Sequence, residues 1–333
     1  MISSYEKQYM SILKNIYENG YSDGTNERTG IATKRLPCQV IRVDLKEEFP
    51  VLKSKKVFVK SALDEILWIW QRQSNNIKDL KPHIWDEWAD IDGSIGKAYG
   101  YQIAKPVVIN VDTKNHSKEG IREYSDQATF ILEYLREFPN GRWANVTLWS
   151  PQELAEMNLV PCCFDASFNL DGGRLNCNLV QRSGDMPYGV PFNTTQYAML
   201  VCMFAKDLGV EPGILLHTIT DAHIYANQMD GVAQQLMQYE LLTSMEDLDR
   251  MTNGNLCDLN PNMLEKFLQT YPDSDFAKKA DTPNELYKRL VETYYCRPRF
   301  LTTEASFFDV SPEYCFLTNY EPVGRVDFGA VAV

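Results

Sequence analysis

Residues 161–200 read PCCFDASFNLDGGRLNCNLVQRSGDMPYGVPFNTTQYAML. Phe164, Ala166, Phe168 and Leu170 alternate with polar residues, and so do Leu175, Cys177 and Leu179. That period of two predicts two half-buried strands. Asp171-Gly172-Gly173 lies between them and carries the residues a tight turn needs, so the pair is a β-hairpin. Gln181-Arg182-Ser183 closes its second strand. Residues 194–208, TTQYAMLVCMFAKDL, are apolar nearly all round, which predicts a helix buried on every side.

Further out, residues 214–225 and 39–45 read as strands, the first ending in Asp221-Ala222-His223-Ile224-Tyr225. WANVTLW at 143–149 is a third strand. Tyr9, Ile12, Leu13, Ile16 and Tyr17 repeat at helical spacing, with Gly20 as the stop. Residues 61–71, SALDEILWIWQ, form a strongly apolar helix with Glu65 set in it. RTGIAT at 28–33 is a turn-rich loop, and Trp85, Trp88 and Tyr99 lie in a loop-rich stretch. Residues 240–295 differ: they are polar, acidic and helix-like, with breaks such as NGNLCDLNPN and DTPNE. Strand-like segments return after Arg299. With no repeat and no clear linker, the expectation is one domain over 1–333 with a helical insertion at about 240–295.

Of the 333 residues, 44% are hydrophobic and 23% charged, as in an ordinary globular chain with ample core material. No apolar run reaches the roughly 18 residues a membrane span needs. The amphipathic start contains Glu6 and is not a signal peptide, so a cytoplasmic location is expected. The net charge of −12 disfavours broad nucleic-acid binding and requires any anion to meet a local basic cluster. None of the eight cysteines forms a C-x-x-C pair, and no zinc spacing occurs. Free thiols and no metal are expected.

Cys162 follows Pro161, and Arg142 and Arg182 lie within twenty residues of it. Arginine lowers the pKa of a nearby thiol and fits a phosphate with a planar fork of donors. One thiol and several arginines suggest a nucleophile beside an anion site; surface salt bridges are the plain alternative. Asn193 opens the buried helix. It reads either as an N-cap or as an amide whose donor and acceptor match uracil O4 and N3–H. His223 and Tyr225 are two apart in an extended segment and face one side, where they could hold a sugar hydroxyl.

The run at 161–200 resembles the central signature of thymidylate synthases: Pro-Cys, a hairpin, Gln-Arg-Ser-x-Asp and then Gly-x-Pro-Phe-Asn. ERTGIAT (27–33), DEILWIW (64–70), HIWDEWAD (83–90), IGKAYG (95–100), DAHIY (221–225) and the terminal AVAV (330–333) extend the resemblance in order. It covers the chain except about 240–295. It implies an α+β fold, a single large mixed sheet packed with helices, with a sheet face at a dimer interface.

The resemblance also implies the chemistry, which is reductive methylation of dUMP to dTMP with 5,10-methylenetetrahydrofolate as one-carbon and hydride donor. Cys162 matches the nucleophile that adds to C6 of the pyrimidine. Arg28, Gln181, Arg182 and Ser183 match nucleotide ligands. Arg142 matches an arginine that reaches the neighbouring subunit's phosphate, so a homodimer with shared active sites follows. Asn193 matches the base reader, and His223 and Tyr225 the ribose contacts. Glu65 matches a proton-relaying carboxylate, and Tyr99 an aid to proton removal at C5. Trp85, Trp88 and Asp185 match the folate site, Asp185 also with a catalytic part, and Val333 a tail that closes over the ligands. The chain departs from the family pattern at Trp143, where a second arginine is common, at Cys163 and at Tyr188. It departs again at Thr194-Thr195, which replaces a more apolar pair. A hydroxymethylase of the same family, with water in place of hydride, is the nearest rival. A catalytically idle nucleotide-binding homologue is the rival from another class.

Overall fold

The 161–200 stretch folds as its pattern predicts, with one shift of phase. Gly172 and Gly173 take φ of 56° and 73°, and Asp171 pairs directly with Arg174. Two successive residues at positive φ make the two-residue turn whose twist matches the flanking strands. The register shifts between Cys163 and Asp165. Cys163, Ala166 and Phe168 therefore face the core, while Phe164 is only half-buried and meets Trp149 edge-on at 5.6 Å. The expected inward alternation beginning at Phe164 is corrected by this bulge. Such a kink re-aims side chains, and here it lies next to Cys162.

The computed structural model describes residues 1–22, 24–111, 119–252, 261–304 and 306–331. In chain order the elements are α1 (Ser4–Asn19), β1 (Thr33–Asp44), α2 (Val59–Trp70), α3 (Gly100–Ile103), β2 (Val107–Val111) and β3 (Gly120–Tyr124). There follow α4 (Gln127–Glu137), β4 (Asn145–Thr147), β5 (Cys163–Asp171), β6 (Arg174–Gln181), β7 (Gly184–Asp185), α5 (Gly189–Asp207) and β8 (Glu211–Tyr225). The last are α6 (Met229–Thr252), α7 (Pro261–Thr270), α8 (Pro283–Tyr295), β9 (Arg299–Thr302) and β10 (Cys315–Thr318).

The large sheet has the order β1-β8-β6-β5-β4, with β7 alongside β8. It is mixed: β1–β8, β6–β5 and β5–β4 are antiparallel, whereas β6–β8 and β7–β8 are parallel. A parallel neighbour requires a crossover, and α5 supplies it. The α+β architecture expected from the sequence is therefore present.

The helices stand where their patterns put them. Ser3 caps α1 by accepting from the Glu6 amide, and the Gly20 N–H closes the helix on Ile16 O at 2.9 Å. In α2, residues 62–70 are all buried, Asp64 and Glu65 among them. Asp64 is matched by the Arg72 guanidinium at 3.0 Å and by the Lys81 amide. Helix α5 begins four residues before Asn193, so Asn193 is not its N-cap. That alternative for Asn193 is set aside, and its amide is available for other contacts.

The main apolar core lies between the sheet and α1, α2, α4 and α5. A second cluster, with Leu242, Met245, Phe267, Phe276, Leu290 and Tyr294, joins α6, α7 and α8. Among the described residues, no helix is long and apolar enough to cross a membrane.

Candidate active site

Cys162 stands at the mouth of β5, partly accessible. Its amide N–H donates to the Tyr99 hydroxyl at 3.0 Å, and its carbonyl accepts from the Arg182 amide at 2.9 Å. The Arg182 guanidinium ties down the preceding turn: Nε donates to Pro161 O at 3.0 Å and Nη2 to Val160 O at 2.8 Å. Burial pushes the Cys162 thiol up; the charges of Arg182 and Arg28 and the Tyr99 hydroxyl pull it back without cancelling that rise. The expected lowering by arginine is thus present but outweighed by desolvation, and the free protein holds a thiol.

Tyr99 is held in an uncommon backbone conformation, φ 44° and ψ −101°. Such a non-glycine residue needs over-determining surroundings, and these are at hand. A Cβ at Gly100 would lie 2.1 Å from Ser74 O, so only glycine allows that approach. The Tyr99 ring also meets Trp85 edge-on at 5.1 Å.

Glu65 projects from α2 into the same region. The Trp85 indole N–H donates to it at 2.8 Å, yet burial raises its carboxyl to about 7. A carboxyl poised there takes and returns a proton near neutral pH. Trp88 is half-buried against Trp85, and its indole nitrogen is enclosed with no partner among the described residues.

Asn193 faces Gln181 and Gln196. Gln181 Nε2 donates to Ser183 O at 2.8 Å and to Asn193 Oδ1 at 3.2 Å, while Asn193 Nδ2 donates to Gln196 Oε1 at 3.1 Å. Gln181 Oε1 lies 2.7 Å from His217 Nε2. Ser183 O can only accept, so the Gln181 amino group must face it and Oε1 must face His217. Burial drives the His217 pKa down to about 3, so the ring is neutral and its single proton belongs on Nε2. The Thr194 hydroxyl lies 2.9 Å from the other ring nitrogen, and the Thr195 hydroxyl donates to Pro50 O. Both departures at 194–195 are therefore satisfied. At the Cys163 departure, the sulfur sits buried, 3.5 Å from Gln181 Oε1.

His223 and Tyr225 share one side of β8, with ring centroids 5.0 Å apart. Arg28 is exposed, and its charge acts on both the Tyr225 hydroxyl and the Cys162 sulfur. Asp185 accepts from the Tyr188 amide and from Gln228 Nε2 at 2.9 Å. Burial raises its carboxyl, against the pull of His223 and Lys55. The Tyr188 hydroxyl donates to Gly329 O at 2.8 Å, which seats the C-terminal segment beside this group. Val333 lies outside the described residues. Arg142 is exposed and is not among the charges acting most strongly on Cys162.

Sequence reasoning missed Lys55 and His217. Lys55 is buried beside Asp185, donates to Pro187 O and has its pKa pushed down to about 7 by burial. Nothing in LKSKKVF separates it from its two lysine neighbours, Lys53 and Lys56. His217 reads as an ordinary core residue, because its partners come from β6 and α5.

A thiol flanked by two arginine charges, a protonatable buried carboxyl and an oriented amide make up a site for addition to a polar ring bearing an anionic group. The family model for thymidylate synthase matches residues 7–271. A thymidylate synthase of Clostridium beijerinckii is 42% identical over 238 residues, covering 71% of this chain and 82% of that one. Thymidylate synthase 1 of Bacillus subtilis is 38% identical over 245 residues, with 71% and 84% covered. The thermostable thymidylate synthase A from Bacillus subtilis superposes with a TM-score of 0.72 at 29% identity, covering 98% of this chain and 99% of that one. Sequence and fold comparisons point to one family, and this chain belongs to the thymidylate synthase family.

Proposed function

We propose that this enzyme converts dUMP to dTMP, with 5,10-methylenetetrahydrofolate as co-substrate and Cys162 as nucleophile. The observation that carries this reading is a partly accessible thiol at the mouth of β5, Cys162, whose carbonyl accepts from the Arg182 amide and on which the charges of Arg28 and Arg182 act. Arg28, Arg182 and Ser183 hold the phosphate, and His223 and Tyr225 the sugar. Once the thiol gives up its proton, sulfur adds to C6 and makes C5 nucleophilic. Asn193 Nδ2 stabilises the charge that grows on O4, and its Oδ1 accepts from N3–H. Tyr99 accepts the Cys162 amide, which leaves its own proton free for a relay at C5. Glu65 exchanges protons through that relay, helped by a carboxyl near neutrality.

The folate supplies the one-carbon unit and the hydride. The unpartnered Trp88 indole N–H and the raised Asp185 carboxyl suit a polar heterocycle there. Trp85 meets Trp88 edge-on and serves chiefly by holding Glu65.

A homodimer is part of the same reading. It is supported by Arg142, whose side chain is exposed. So is one domain over 1–333 with a helical insertion at about 240–295, supported by Tyr239, which packs against both apolar clusters. A cytoplasmic setting fits the free thiols of all the described cysteines.

The test is product identification with dUMP and labelled methylenetetrahydrofolate. dTMP and dihydrofolate are expected. Hydroxymethyl-dUMP with tetrahydrofolate would replace this reading by hydration.

A further inference from the structure

The loop that carries Arg142 is wrapped around one buried side chain. Tyr134, on α4, is fully buried, and a Cβ at Gly141 would lie 2.4 Å from its hydroxyl. The loop can approach that closely only because residue 141 is glycine. The amide N–H groups of Trp143 and Arg142 both point at the Tyr134 hydroxyl oxygen. The Trp143 indole stacks on the Tyr134 ring, with 6.3 Å between centroids and 13° between planes. The far end of the loop is pinned to the sheet, where the Phe168 amide donates to Ala144 O at 2.7 Å. Between these anchors the Arg142 side chain is left exposed.

A flexible arginine loses much of its binding energy in ordering itself on an anion. A loop fixed beforehand by two hydrogen bonds and a ring stack avoids part of that loss. We propose that Tyr134 and Trp143 are positioning residues that preset the Arg142 loop, so that one arginine performs phosphate capture where the family often has two. This rests on reading Arg142 as a phosphate ligand. Trp143 then replaces a second charge with rigidity at the first.

The test compares Tyr134→Phe, Trp143→Ala, Arg142→Ala and the double variant Tyr134→Phe/Arg142→Ala in the full-length enzyme. Tyr134→Phe keeps the ring and removes the acceptor. It is expected to raise the KM for dUMP roughly five- to tenfold, with kcat within about twofold. The Ki for inorganic phosphate as a competitor should rise in step. Trp143→Ala should act in the same direction. Arg142→Ala should raise KM further, and the double variant should be no worse than Arg142→Ala alone, because the tyrosine acts only through the arginine. If Arg142→Ala raises KM while both loop variants leave it unchanged, the positioning role is wrong and the phosphate reading survives. If Arg142→Ala itself leaves KM unchanged, both fall. A drop in kcat and melting temperature with constant KM makes Tyr134 a packing residue only and overturns the proposal.

Discussion

The sheet core and the helices that carry residues 240–295 differ in what they bury. Between β6, β8, α2 and α5, the protein encloses Gln181, Thr194, Thr195, Gln196, His217 and Glu65. Each needs a partner, because an unmet buried polar group costs about 1–3 kcal/mol. In residues 240–295, only Ser274 and Thr293 are buried polar groups among those described, and the rest of that interior is Leu, Met, Phe and Tyr. One interior spends stability on chemistry, whereas the other simply packs. An open cavity of about 400 Å³ on the second region, lined by Lys278, Lys288, Arg289, Asp281, Glu285 and Glu292 among others, is nearly balanced in charge and belongs to its surface.

That contrast breaks first at Cys162. Cys162→Ser keeps the shape of the site and removes the thiol. Turnover should fall at least about 10⁴-fold, while calorimetry finds dUMP affinity within a few-fold. Retained turnover would move the chemistry to another residue.

The packing side is probed at Phe267, which is fully buried between α7 and its neighbours. Phe267→Ala should cost about 3–5 kcal/mol locally. Hydrogen exchange should report faster opening confined to α6, α7 and α8, with kcat preserved. A parallel loss of kcat would show that these helices support the site, and the contrast would be false.

The smallest effect concerns pH. Glu65 holds its proton up to about pH 7 in the folded chain, against an ordinary value of 4.5. Between those values the folded state binds a proton that the unfolded state has released, so stability falls as pH rises through this window. Glu65→Gln removes that slope. Relative to the parent, the variant should gain up to about 3 kcal/mol between pH 5 and pH 8 in denaturant titrations. Parallel curves would mean that the carboxyl is not held protonated.

Much of the fold was legible because its signals are local. Asp171-Gly172-Gly173 specifies its turn whatever surrounds it, and Ser3 and Gly20 bracket α1 by their own backbone chemistry. The alternation in β6 held through Leu175, Cys177 and Leu179. The bulge after Cys163 was not legible, since it depends on how β5 meets β6. The start of α5 was misjudged because GVPF offers no capping side chain. Lys55 and His217 escaped notice for one reason: burial decides what each does, and burial comes from distant segments. The direction of the Cys162 shift failed likewise, since arginine proximity can be guessed from spacing whereas enclosure cannot.

The strained turn at Tyr99 has a practical consequence for anyone reshaping this pocket for other pyrimidines. Gly100 abuts Ser74 backbone, and Tyr99 carries both an unfavourable torsion and the bond to the Cys162 amide. A mutagenesis library that samples these two codons would return chiefly collapsed clones. Diversity is better placed at Cys163 and Tyr188, where the sequence departs from the family pattern.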